Sequence, residues 1–213
     1  LQEEAEAMQT SVEAAQEKRN ELAKLREEYA KTLRALTELV QREGAELRQL
    51  QLQALQEAGD IRAREAERGL RAALRQLEEL GRGIGKGLLD RDALVAQGEA
   101  TLEALGKVVQ ERTRAIELER QRELERLAEE ERRQRVELEQ RKQEEIARFA
   151  ALGAQKVAEI RERYAQLEAL LAEQYALRRQ QLEERYTARL QELQEERAER
   201  EREIAERVLQ YEE

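Results

Sequence analysis

The chain has 213 residues, 41% of them charged and 3% aromatic, with no Pro, Cys or His and a formal net charge of −9. So few aromatics leave little to fill a thick globular core, and without Cys or His there are no disulfides and none of the usual zinc and haem ligands. Acids and bases are mixed rather than blocked, which excludes a basic stripe for nucleic acid, and no apolar run approaches the roughly 18 residues of a membrane helix.

Glu, Arg, Leu, Ala and Gln with no breaker but glycine is the composition of long helices, and leucines this plentiful argue against disorder. The predicted class is all-α, with long extended helices that pair as coiled coil. A chain that begins at Leu1 also reads as a piece of a longer polypeptide or a processed product.

In residues 1–80 the first 19 are weakly apolar, and regularity begins at Leu22. Leu22, Leu33, Leu55, Leu77 and Leu88 lie on one eleven-residue grid, Leu25, Leu36, Leu47 and Leu80 on a second, and Tyr29, Val40, Ile84 and Val95 on a third. Eleven residues overshoot three helical turns by only about 20°, so a helix eased to about 3.67 residues per turn keeps such columns in one seam, straight or in a right-handed supercoil. Midway, Gly44, Gln51, Ala58, Arg62, Ala66 and Gly69 take seam places. They mark either a close helix approach or a turn near Gly59 and Asp60.

Residues 81–106 collect Gly81, Gly83, Gly85, Gly87, Gly98 and Gly106. Each glycine inside a helix costs about 1 kcal/mol relative to alanine, so this stretch predicts a hinge or helix break, with Gly81, Gly83, Gly85 and Gly87 as its centre. The repeat also slips by one residue here, which turns the seam by about 100°. Asp90 and Asp92 are placed to cap a new helix.

Beyond the joint a second column runs through Leu94, Leu105, Ile116, Leu127, Leu138, Phe149, Ile160, Leu171, Leu182, Leu193 and Ile204, each eleven residues after the last. Over 107–145 it stands nearly alone, because Arg120, Glu131 and Lys142 occupy companion places. Pairs such as Glu119 with Arg122, Glu123 with Arg126, Glu129 with Arg133 and Glu131 with Arg135 each add about 0.2–0.5 kcal/mol to an isolated helix. This segment is therefore expected to stand as a single charged helix.

Residues 146–213 are the most regular, with Tyr164, Tyr175 and Tyr186 alternating with Leu171, Leu182 and Leu193 and the seam ending at Val208. Tyrosine there is expected to pack its ring and keep its hydroxyl in water. One helix from Gly106 to Glu213 would be roughly 160 Å long.

Chemical motifs are few. GRGIGKG, Gly81–Gly87, has the look of a phosphate loop, but it lacks the preceding strand, the four-residue spacing and the Ser or Thr after Lys86. Glutamates on solvated faces have no pocket to shift a pKa. Tyrosines at a repeat interval are packing before they are a stacking platform. No enzyme, cofactor or metal is predicted.

The glycine-spaced stretch LGRGIGKGLLD, Leu80–Asp90, set between Arg/Glu/Leu helices, resembles segments of bacteriophage tail tape measure proteins. The resemblance implies a ruler or spacer, several copies of which lie inside a tail tube, with the virion as location and tube proteins as partners. Otherwise the chain is expected in the cytoplasm. There it would be the arm of a chromosome-organising ATPase, the stalk of a rotary ATPase, or a compact helical adaptor.

One helix cannot bury its own stripe. The seam predicts self-association into a parallel homo-oligomer, trimer favoured, or pairing with another coiled-coil protein, unless the chain folds back at its glycines. Neither nucleic acid nor membrane is an expected partner.

Overall fold

In the computed structural model, which describes residues 2–84 and 90–212, three long helices carry the chain: α1 (Gln2–Ile84), α2 (Arg91–Phe149) and α3 (Ala154–Glu212). A single 3-10 turn, Ala150–Leu152, joins the last two. The protein is all-α, and no strand occurs among the described residues. Two compact units divide it, residues 1–51 and residues 52–213.

The first unit is the N-terminal part of α1. Its periodic apolar residues lie in water: Leu22, Tyr29, Leu36 and Leu47 are 54%, 70%, 56% and 59% exposed, and Leu25, Leu33 and Val40 are exposed as well.

The second unit holds the rest of α1 with α2 and α3. α1 passes through Gly59 and Asp60 as helix, so the small residues there mark no turn. Its last described residues, Gly81 and Gly83 among them, are helical up to Ile84. Gly85 and Gly87 lie outside the described residues. Asp90 caps α2 as its position suggests: its backbone is extended and its carboxylate accepts the Ala93 N–H at 3.2 Å. That bond satisfies one of the donors a helix N-terminus leaves open.

The long column beyond the joint does not describe one helix. The chain turns at Gly153, whose φ of 102° and ψ of 170° belong to a region that L side chains rarely enter, and whose N–H donates to the Ala150 carbonyl at 3.4 Å. The eleven-residue column is thereby cut between Phe149 and Ile160 and folded so that its halves meet. Leu105 and Ile204 share the buried core with Leu94 and Leu193, and Ile116 packs against it. Farther along, Leu138 and Leu171 line one shallow groove. A stripe that no single helix can bury is thus covered within the chain.

From α1 the core receives Leu70 and Leu77, with Ala66, Leu74 and Leu80 packed against it. Glycines allow the closest approaches. A Cβ on Gly98 would lie 2.8 Å from Val208 Cγ2, and one on Gly81 would clash with the hydroxyl-bearing edge of the Tyr211 ring. The glycines read as hinge positions include one, Gly81, that serves as a socket.

Candidate interaction site

Along the hairpin, α2 presents glutamates and α3 presents arginines in matched antiparallel order. Glu145 meets Arg163, Glu130 meets Arg178 through both carboxylate oxygens at 2.9 and 3.3 Å, Glu123 meets Arg185, and Glu119 meets Arg189 at 2.8 Å. The polarity reverses where Arg120 meets Glu183 at 2.8 Å and Arg112 meets Glu196 at 3.2 Å. Glu119 and Glu123, expected to pair within their own helix, reach across instead. Glu131, read from sequence as a charged interruption of the seam, is buried and held by Arg135 at 2.6 Å and by Arg179 from α3.

These pairs enclose the tyrosines. Tyr175 and Tyr186 are 0% and 1% exposed and Tyr164 is also buried. The guanidinium of Arg178 sits 5.2 Å from the Tyr175 ring centre, Arg163 5.4 Å from that of Tyr164, and Arg185 and Arg189 lie 5.3 and 5.4 Å from that of Tyr186. Each such arginine lies by an aromatic ring and holds a glutamate of the opposite helix, so ring, cation and carboxylate form one layer.

The expectation that the tyrosine hydroxyls stay in water is overturned. Those of Tyr175 and Tyr186 are fully buried and reach no hydrogen-bond partner among the described residues. The Tyr175 hydroxyl lies close enough to Glu130 to feel its charge while falling short of hydrogen-bond geometry. The antiparallel neighbour helix covers what a solitary helix would leave open.

The titration of these layers follows from their packing. Hydrogen bonds from Arg178, then the proximity of Tyr175, hold the Glu130 carboxyl below its ordinary value, and Arg163 does the same for Glu145, with Tyr164 second. Burial, followed by Glu130, pushes Tyr175 up, and burial, followed by the charges of Glu119 and Glu123, pushes Tyr186 up. Tyr164 is raised chiefly by Glu145 and then by burial. Near neutrality these carboxylates stay ionised and these phenols stay protonated. The layers therefore hold charge in fixed places, as adhesive contacts require.

No known protein family, curated protein or solved structure matches the chain.

Two further features complete the second unit. Thr101, fully buried, donates to the Gln97 carbonyl at 2.7 Å, and Gln97 Nε2 donates to the Ala73 carbonyl of α1 at 3.0 Å. This polar clasp carries no periodic signal, so the sequence reading missed it. Between α1 and α2 a cleft of about 280 Å³ is lined by Gln56, Asp60, Arg62, Glu111, Arg114 and Arg122 among others. Arg62 and Arg114 both reach Glu111, at 3.3 and 2.7 Å, and Arg122 bonds Gln56. The cleft's arginines are thus engaged by neighbours on its own walls.

The predicted seam positions fall into two groups. Leu94, Leu105, Leu127, Ile160, Tyr164, Tyr175, Tyr186, Leu193 and Ile204 are buried, and Ile116, Leu138, Phe149, Leu171, Leu182 and Val208 half-buried, all in the second unit. Leu22, Leu25, Tyr29, Leu33, Leu36 and Val40 are exposed in the first. Among the described residues no helix is long and apolar enough to cross a membrane.

Proposed function

We propose that the chain is a structural spacer, a non-catalytic helical module whose α2–α3 hairpin acts as a strut. In this reading the hairpin is an antiparallel coiled coil on an eleven-residue repeat. The layered Arg–Glu–Tyr ladder supports it: Glu130 and Glu119 are eleven residues apart, as are Arg178 and Arg189 and the three tyrosines. A repeat of contacts at a fixed interval sets length, and each 59-residue helix contributes about 90 Å at 1.5 Å per residue.

The use of such a strut as a ruler inside a phage tail rests on the resemblance of Leu80–Asp90 to tape measure segments and places the protein in the virion. Turning back at Gly153 favours a second use, as a folded helical adaptor in a cellular assembly, because a ruler acts through extended length.

The spacer reading is tested by removing one repeat from both strands, residues 128–138 together with 171–181. The hairpin is expected to refold in register and shorten by about 16 Å, and the distance the protein sets in its assembly, seen by electron microscopy, shortens in step. An all-or-none loss of assembly despite intact folding overturns the spacer. A tail shortened in proportion marks the ruler, and an unchanged dimension with retained binding marks the adaptor.

A further inference from the structure

The apolar columns of the α2–α3 hairpin repeat, so they do not fix how far α3 is drawn along α2. Sliding α3 by one whole repeat, about 16 Å, sets Leu105, Ile116, Leu127 and Leu138 once more against the column of Ile160, Leu171, Leu182, Leu193 and Ile204. Apolar packing along the strut therefore does not choose between the observed stagger and its two neighbours. We infer that the charges inside the seam, Arg120, Glu131 and Lys142 of α2, choose it. The inference rests on the reading of the hairpin as an antiparallel coiled coil and deepens it, since a strut sets one length only in one stagger.

Arg120, Glu131 and Lys142 lie eleven residues apart and alternate in sign. Each meets the opposite sign on α3: Arg120 meets Glu183 at 2.8 Å, Glu131 meets Arg179, and Lys142 meets Glu168 at 4.0 Å. Alternation makes the row sensitive to a slip. With α3 drawn one repeat toward the turn, Lys142 would face Arg179, and with α3 drawn one repeat away from it, Glu131 would face Glu168. Arg120 would lose its partner in both, facing Gln194 or Ala172. Either slip sets like charges together inside the seam, where the Glu131 and Lys142 side chains are only 10% and 23% exposed. Repulsion there is little screened by solvent.

The outer rungs discriminate less. Glu119, paired with Arg189, would find Arg200 after one slip and Arg178 after the other. Arg112 would exchange Glu196 for Arg207 or Arg185, but its side chain is 38% exposed, and pairs so open to water are weak. A polar or charged residue within an apolar seam is the best-attested means by which coiled coils specify register. A leucine in place of Glu131 would suit any of the three staggers.

The chain has no cysteine of its own, so spin labels on Gln140→Cys and Gln191→Cys, both at exposed helical positions, read the register directly. In the observed stagger the two lie roughly 35 Å apart along the axis, and a slip changes this to about 18 Å toward the turn or about 51 Å away from it. The parent chain is expected to give the first distance alone. Any other distance there overturns the coiled-coil reading itself.

Glu131→Lys with Lys142→Glu sets like charges together in the observed stagger and relieves them in both neighbours, so a second, discrete distance is expected. Adding Arg179→Glu and Glu168→Lys restores opposite signs at both pairs and is expected to return the chain to the first distance alone. Milder single changes report direction. Lys142→Leu lifts the repulsion only from the slip toward the turn and is expected to add the 18 Å distance, whereas Glu131→Leu is expected to add the 51 Å distance. The first distance alone in the double variant and in both leucine variants overturns the inference, even if they melt lower, and leaves register to the turn at Gly153 and the Val208 contact at Gly98. So does a fourfold variant that fails to regain the first distance.

Discussion

Tyr175 sits between two helices with its ring enclosed, an arginine beside it and a hydroxyl that finds no partner among the described residues. A buried polar group without a hydrogen bond is costly, while truncating a large buried aromatic costs about 3–5 kcal/mol. Tyr175→Phe is therefore expected to hold or raise stability at neutral pH, by up to about 1 kcal/mol, while Tyr175→Ala falls in the 3–5 kcal/mol range. Urea titrations compare the two, and a marked loss in the Phe variant would mean that the hydroxyl contributes after all.

The pH dependence follows from the same layer. Tyr175 and Tyr186 titrate above their ordinary value of 10.0 in the fold, so the folded state keeps protons that the unfolded chain releases, and stability falls as pH rises past 10. Glu130 and Glu145 titrate below 4.5, so their contribution is present above that value and is lost as pH falls below it. Thermal melts across pH are expected to show a plateau between these limits, with the alkaline edge softened in Tyr175→Phe. At this scale the sequence told which side chains repeat but not what encloses them. The eleven-residue spacing of the tyrosines was legible, and their hydroxyl burial was not, because it depends on a second helix lying over them.

Among the elements, the turn at Gly153 decides the most. A Cβ there meets no neighbour, so Gly153→Ala suffers only from the backbone conformation, an expected loss of about 1–3 kcal/mol. Helical glycines divide by their surroundings. Gly98→Ala presses on the stiff, branched Val208, and overpacking of about 1–3 kcal/mol outweighs or cancels the gain of about 1 kcal/mol in helix propensity. Gly106→Ala meets nothing within 4 Å and keeps that gain. The three urea midpoints are expected to fall for Gly153→Ala, hold or fall for Gly98→Ala and rise for Gly106→Ala.

The sequence marked the glycine-rich stretch as the main joint and overlooked Gly153, a lone glycine amid helix formers. Local propensity weighs a cluster more heavily than one residue. A single residue at positive φ suffices when the helices on either side have apolar stripes to bring together.

For the whole molecule, the two units differ in how they satisfy their apolar faces. The buried core, with Leu70, Leu77, Leu94, Leu105, Leu193 and Ile204, lies in residues 52–213, although Leu55, Ile61 and Leu170 there are exposed, whereas Leu22, Tyr29, Leu36 and Leu47 of residues 1–51 are all exposed. Amide hydrogen exchange is expected to separate them, with strong protection in α2 and α3 and weaker protection over residues 22–50. Protection of that segment equal to that of α3 would mean that exposed apolar residues do not set local stability here.

Composition, the absence of proline and cysteine, and the eleven-residue columns by themselves determined that this protein is helical and which residues share a face. Those properties are local, written in propensity and periodicity. Which faces meet was left to the tertiary structure. A seam of period eleven closes equally well on a second chain or on the same chain folded back, and the choice rests on the conformation of Gly153 and the match of glutamates on α2 to arginines on α3. In the first unit Leu22, Tyr29, Leu36 and Leu47 share the periodicity and are exposed, so periodicity alone does not decide burial.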